Sequence, residues 1–410
     1  MAARASRLQA WFPHVQHPVI LSAPMLGTAN GTLAAEVTKA GGIGVIPGGF
    51  DFLPGSPQLS ALEAELAAAR ALLAAAGLAT AAGATDPSPP ATLPVAVGFI
   101  LCHPSFATHF LATALPLLRQ HRPRGVWLFA PRPEDEAASS ASASSSPSCA
   151  SGGGGGGGED KGRETVLARA VRALRAEGFV VMAQVGTVAA ARRAAAAGAQ
   201  AVVVQGVDAG GHQYAAGAGV VSLLPEVADM LADEFGKGRR GNEGDEGDKG
   251  DDGGVVVVAA GGIVDGRGVA AALGLGAEGV VMGTRFIASH ESWSPDFRKK
   301  LILDATDGGP STVKTPVLDD IQGTPIWPAA YDGRALIGKS WLDHAAGLPL
   351  EENVRRFKEA DAAGDDSRKI TWAGTGVGLV REVKPAGQIV KEVREDAIRR
   401  IRGLQAAIGA

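Results

Sequence analysis

The chain has 410 residues, 46% of them hydrophobic and 20% charged, with a formal net charge of −4. That balance offers no basic field to nucleic acid or an anionic membrane, and no apolar run reaches the roughly eighteen residues needed to span a bilayer. With only Cys102 and Cys149 there is no disulfide framework, so the expectation is a reducing, cytoplasmic setting and a monomer or homodimer acting on small molecules.

The amino-terminal stretch MAARASRLQAWF carries Arg4 and Arg7 and no acidic residue precedes Glu36. It reads as a short basic arm before the first strand, with an organelle-import leader as the alternative, and the final AIGA is no peroxisomal address. Beyond it, apolar runs alternate with helical periodicity. The predicted strands are 18–23, 42–47, 93–100, 125–130, 179–185, 201–206, 255–262 and 279–284. Each is rich in Val, Ile or Leu without polar alternation, as parallel strands buried on both faces require. Helical patterns such as LSALEAELAAARALLAAAG and ETVLARAVRALRAEG fill the intervals, and several end in a glycine suited to a left-handed C-cap.

Eight such strands predict a TIM (β/α)8 barrel. An open doubly wound sheet would show GxGxxG in its first turn, where this chain has APMLGTANG. Two segments, 131–164 and 236–254, are dominated by Ser, Ala and Gly or by Gly and charge, and are expected to be disordered inserts. Neither contains GxxxxGK[ST]. After the eighth strand the alternation stops. Residues 287–370 are expected to form an added, mainly helical subdomain over the barrel mouth, the barrel itself comprising 1–286 and 371–410 and closing on an amphipathic helix from about 385.

In such a barrel the reacting groups sit on the loops that follow the strands. Gly261 and Gly262 lie ahead of a helix starting near Asp265, and Gly283 and Thr284 follow the eighth strand. Backbone N–H groups and helix N-termini there suit a phosphate; tight helix–strand packing is the other use of the same glycines. His212, in GVDAGGHQY after the sixth strand, stands on the same rim and can serve as a base or donor near neutral pH. His103 is a weaker candidate, His109 and His121 read as structural or solvated, and His290 and His344 fall in the added region. No HxH, HExxH or CxxC spacing supports a metal site, and Ser22 is not in a GxSxG elbow.

The stretches SAPMLG, VVVQGVDAGGHQ, AAGGIVDGRGVAAALGLGAEGVVMGTRF and WAGTGVGLVREVKPAGQIV together resemble the nitronate monooxygenase family, formerly called 2-nitropropane dioxygenases. The resemblance implies an FMN-dependent barrel that oxidises alkyl nitronates with dioxygen to a carbonyl compound and nitrite. It would set Gln205, Gly210, Gly262, Val281, Met282, Gly283 and Thr284 against FMN, with Gly211 and Gly261 beside them. Ala23, Pro24 and Met25 would lie along the isoalloxazine, and Gln184 would be a further polar contact. His212 matches the family's active-site histidine. In fungal-type members it is expected to take the α-proton of a neutral nitroalkane, or else to orient a substrate already ionised. Two positions depart from the pattern: Ile100 stands where many bacterial members have an asparagine reaching the flavin, and Asp208 where many have Glu. A flavin-dependent enoyl-acyl-carrier-protein reductase shares much of the signature and stays open, as does a non-catalytic barrel that binds a phosphate ligand. An inosine monophosphate dehydrogenase would need a cysteine after the sixth strand, which this chain lacks.

Overall fold

The computed structural model describes residues 6–79, 91–136, 164–236, 254–324 and 326–409. Most of both expected inserts, 137–163 and 237–253, lies outside the described residues, and so does Cys149. The leading edge of the first insert differs from expectation. Residues Pro133–Glu136 form a short helix, Asp135 is buried, and the carbonyl of Pro131 accepts the Tyr331 hydroxyl at 2.9 Å. Composition marked the boundary too early because these residues are anchored by a partner 200 positions away in sequence.

In chain order the strands are β1 (Val19–Ser22), β2 (Val45–Gly49), β3 (Leu93–Ile100), β4 (Pro123–Phe129), β5 (Val180–Val185) and β6 (Ala201–Gln205). They continue with β7 (Gly211–Tyr214), β8 (Val256–Ala260), β9 (Gly279–Met282), β10 (Thr312–Thr315) and β11 (Tyr331–Leu336). Eight of them make one parallel sheet in the order β1-β9-β8-β6-β5-β4-β3-β2. The ends meet through Ile43, which bridges Leu21 in parallel and donates its N–H to Ile20 O at 2.9 Å. The second expected strand is therefore split, Ile43 closing the barrel and 45–49 pairing regularly with β3. The result is the (β/α)8 barrel the alternation predicts. Its strands are buried on both faces, β1, β5, β8 and β9 completely, which is why they read as unbroken apolar runs.

The intervening helices start where side chains can take up their free N–H groups. Asn30 accepts from Leu33 N, Thr165 from Ala168 N and Thr187 from Ala190 N. The amino-terminal arm is more than a solvated extension: Arg7–Trp11 is helical, and Leu8, Phe12 and Val15 are buried in the main core cluster beneath the barrel. The closing helix, Ala386–Ala407, packs on helix Gly266–Gly274, where a Cβ on Gly266 would run into the backbone of Asp396 and Ala397. From the same helix Arg394 reaches back to the carbonyls of Ala40 and Gly41 at 2.9 and 2.8 Å, tying the last helix to the first β/α unit.

The region after β9 is mostly helical but also supplies two strands that the sequence reading did not anticipate. β10 and β11 join β7 in an antiparallel sheet of order β10-β11-β7. Because β7 belongs to the loop after β6, this sheet fixes the added region directly to the rim carrying His212, with Gly333 opposite His212 in register.

Candidate active site

A cavity of about 470 Å³ lies at the carboxyl ends of the barrel strands, a volume in the range of ligand pockets. It is lined by Ala23, Pro24 and Met25 after β1, Gln184 on β5, Gln205 on β6, Gly210, Gly211 and His212 on the following loop, Gly261 and Gly262 after β8, and Val281, Gly283 and Thr284 at the end of β9. The structure thus brings together all the sequence-predicted site residues except Met282. Adjacent strand residues point to opposite faces, and beside cavity-lining Val281, Met282 is wholly buried in the core. Its carbonyl does hold the site, accepting Ala23 N–H at 3.0 Å.

Gly261 and Gly262 both have positive φ, 107° and 71°, and a Cβ on Gly261 would stand 2.7 Å from Gly206 O. Glycine is needed there for conformation and for room. Among the described residues, the backbone N–H groups of Gly262, Gly283 and Thr284 find no acceptor in the protein. All three residues belong to the cavity lining, at the ends of the neighbouring strands β8 and β9. The helix beginning after Asp265 does not contribute as expected. Asp265 caps it with its own side chain, accepting from Arg267 N at 2.9 Å, and pairs with the Arg267 guanidinium. Asp208, the departure from the family pattern, accepts from the Thr375 hydroxyl at 3.0 Å and so pins residues 374–376 over the cavity.

A run of amide contacts crosses the barrel top. Trp127 Nε1 donates to Gln184 Oε1 at 3.1 Å, Gln184 Nε2 to Gln205 Oε1 at 2.7 Å, and Gln205 Nε2 to the His212 carbonyl at 3.1 Å. The indole is donor only, so the direction of the whole chain is fixed, and each glutamine keeps a second amide hydrogen.

His212 is held on three sides. Its ring stacks on Trp327, centroids 3.8 Å apart, and meets Trp372 at 4.7 Å. Nε2 lies 2.9 and 3.0 Å from the two carboxylate oxygens of Asp319. Trp372 has room because Gly333, opposite His212, lacks a side chain; a Cβ there would strike the indole.

Sequence reasoning missed Asp319, Trp127, Trp327, Trp372, Gly374, Gly376 and Arg298. One signal was available: three of the chain's six tryptophans line this cavity. Among the described residues Arg298 is the one lysine or arginine of the lining, and no carboxylate joins it. Burial lowers its guanidinium from the ordinary arginine range, with Asp366 opposing, but an arginine keeps its charge. Ile100 lines the wall, adding apolar surface where an asparagine would add an amide. The other histidines fall away from the site: His103 bonds Ser105 Oγ at 2.7 Å, His109 bonds Thr108, His121 is buried at the end of helix Ser105–His121, His290 is exposed and His344 packs on Trp341. Burial pushes the Cys102 thiol up to about 12, so it is no nucleophile. Among the described residues no group of His, Cys, Asp and Glu could hold a metal ion, and no helix is long and apolar enough to cross a membrane.

Unpaired N–H groups at two neighbouring strand ends and a histidine on the same rim make this cavity the candidate site of a (β/α)8 barrel, where ligands are taken up at the carboxyl ends of the strands. The family follows from comparison with known proteins. The nitronate monooxygenase family model matches residues 164–396. A nitronate monooxygenase of Neurospora crassa is 50% identical over 405 residues, covering 98% of this chain and 95% of its own. The nitronate monooxygenase npaC of Metarhizium robertsii is 34% identical, covering 94% of this chain and 92% of its own. The chain belongs to the nitronate monooxygenase family, and it is an oxidoreductase. Among solved structures, FabK from Thermotoga maritima and a nitroalkane oxidase from Streptomyces ansochromogenes each match with a TM-score of 0.64 at 24% identity. They cover 98% and 97% of this chain and 99% and 100% of their own, a likeness of fold.

Proposed function

We propose that this chain binds FMN in the rim cavity and oxidises small alkyl nitronates with dioxygen, giving a carbonyl compound and nitrite. The observation that carries the reading is the cavity itself, whose described lining combines unpaired N–H donors, a held histidine and one arginine with no carboxylate. That lining favours an anionic substrate beside an anionic cofactor tail.

The residues fit FMN. Gly261, Gly262, Gly283 and Thr284 would hold the phosphate through backbone N–H groups, with Gly210 and Gly211 closing the loop beside them. Ala23, Pro24, Met25 and Val281 supply apolar wall for the ring, and Gln184 and Gln205 keep an amide hydrogen each for its polar edge. FMN, when bound, supplies electron acceptance from the nitronate and delivery of electrons to dioxygen. The chain's own residues position the substrate, exclude water with Trp327, Trp372 and Ile100, and accept a proton at His212 when the substrate arrives as a neutral nitroalkane.

The test is a visible spectrum of the purified protein, followed by oxygen uptake with ethylnitronate and propionate 3-nitronate. A flavin spectrum and nitronate-dependent oxygen consumption with nitrite release are expected. A colourless protein, or a flavin bleached anaerobically by NADH with no nitronate oxidation, would overturn the proposal, the latter in favour of an enoyl-reductase-like activity.

A further inference from the structure

Among the described residues the carboxylate of Asp319 is one of the least accessible, its side chain 5% exposed, and it makes no ion pair with lysine or arginine. Its partners are His212 Nε2 and the Thr324 hydroxyl, which donates to Oδ1 at 3.1 Å. Thr324 N also donates to the Asp319 carbonyl at 2.9 Å, closing the end of helix Val317–Gln322, whose Leu318 and Ile321 are buried. The carboxylate is therefore set on a packed helix rather than on a free loop. A buried carboxylate without a cation is costly unless hydrogen bonds satisfy it, and the imidazole is the group placed to do so.

A carboxylate only accepts hydrogen bonds, so the hydrogen between these groups is carried by Nε2. A neutral imidazole has one N–H, which leaves Nδ1 with its lone pair. Among the described residues Nδ1 has no hydrogen-bond partner, and the ring lines the cavity, clamped between Trp327 and Trp372. We infer that Asp319 is a positioning residue that fixes His212 as the Nε2–H tautomer and turns Nδ1, the nitrogen that takes the substrate proton, toward the cavity. The inference rests on the proposed function for its substrate and deepens it by assigning the working nitrogen. In the step it serves, the α-carbon of a neutral nitroalkane gives its proton to Nδ1. The C–H electron pair becomes the C=N bond, and the negative charge moves to the nitro oxygens. The imidazolium formed is balanced by the Asp319 carboxylate, and Nδ1 later returns its proton to solvent.

The experiment has a spectroscopic and a kinetic arm. Long-range proton–nitrogen spectra of the holoprotein with ¹⁵N-labelled histidine, assigned with His212→Asn, are expected to give His212 as the Nε2–H tautomer at pH 8. Protonation on Nδ1 would overturn the inference whatever the substrate proves to be. In Asp319→Asn the single tautomer is expected to give way to a mixture, with turnover of nitroethane falling about 10²-fold or more while turnover of ethylnitronate changes by less than about threefold. Asp319→Glu is expected to recover part of the nitroethane activity. An equal fall on both substrates would reduce Asp319 to a structural residue and contradict the assignment. A wild-type enzyme inert to nitroethane would remove the base role from the proposed function and leave the tautomer to be decided by the spectra.

Discussion

Trp327 and His212 lie face to face, with ring centroids 3.8 Å apart and planes within 9° of parallel. The indole face excludes water from one side of the imidazole and holds the ring in its plane beside the cavity. Trp327→Leu keeps apolar bulk but removes this face. Turnover of a neutral nitroalkane is expected to fall about three- to tenfold, the worth of one aromatic contact, with a smaller change on the corresponding nitronate. Steady-state oxygen uptake with both substrates checks it; identical falls on the two would contradict the specific role.

Gly210 separates the His212 loop from the strap at 372–376, and a Cβ there would run into the backbone of Ala373 and Gly374. Backbone cannot step aside as a side chain can. Gly210→Ala is expected to cost about 1–3 kcal/mol of stability and to lower cofactor content, because the strap also bonds the site: Gly374 N donates to Thr284 Oγ1 at 3.0 Å. A thermal midpoint and a flavin-to-protein absorbance ratio equal to those of the parent would contradict this.

Arg298 brings a positive charge to a lining that has no carboxylate among the described residues, and its Nη2 is tethered to Ile370 O, two residues before Trp372. Arg298→Met keeps the stem and deletes the charge. The KM for anionic nitronates is expected to rise about tenfold, equivalent to about 1.4 kcal/mol, while the KM for a neutral nitroalkane stays nearly constant. A parallel rise for both would point to lost packing instead.

Two histidines outside the cavity set an acid limit. Burial lowers the pKa of His14, against a hydrogen bond to Gly42 O, and burial likewise lowers that of His121, against Glu63. Both are therefore harder to protonate folded than unfolded. Their contribution is present above about pH 6.5, the unfolded value, and is lost as pH falls through the depressed folded values. The urea midpoint is expected to decline from pH 7 to pH 5, and to decline less steeply in His14→Gln/His121→Gln. An unchanged slope in the double variant would contradict the assignment.

The barrel was legible because its strands are buried on both faces, so a run such as 201–206 carries its signal in consecutive residues. The small sheet was not. β7 and β10 are four residues each, partly exposed and mixed in polarity, and β7 is a strand only because β11 pairs with it. For the same reason the glycines and His212 could be found from local order, whereas Asp319 stands 107 residues from its partner. That the helix starting near Asp265 gives its first free N–H groups to the Asp265 side chain could not be read from the glycines before it. Met282 lies in the core beside cavity-lining Val281 because one step along a strand exchanges one face for the other.

The proposed proton transfer from substrate to His212 sets apart neutral and ionised substrates. The direct measurement is oxygen consumption by the His212→Asn holoenzyme with nitroethane and, separately, with ethylnitronate at the same pH. Retained flavin is expected, with nitroethane turnover reduced about 10²-fold or more and ethylnitronate turnover within a few fold of the parent enzyme. Equal activity of the variant on both substrates, or equal losses on both, would contradict it.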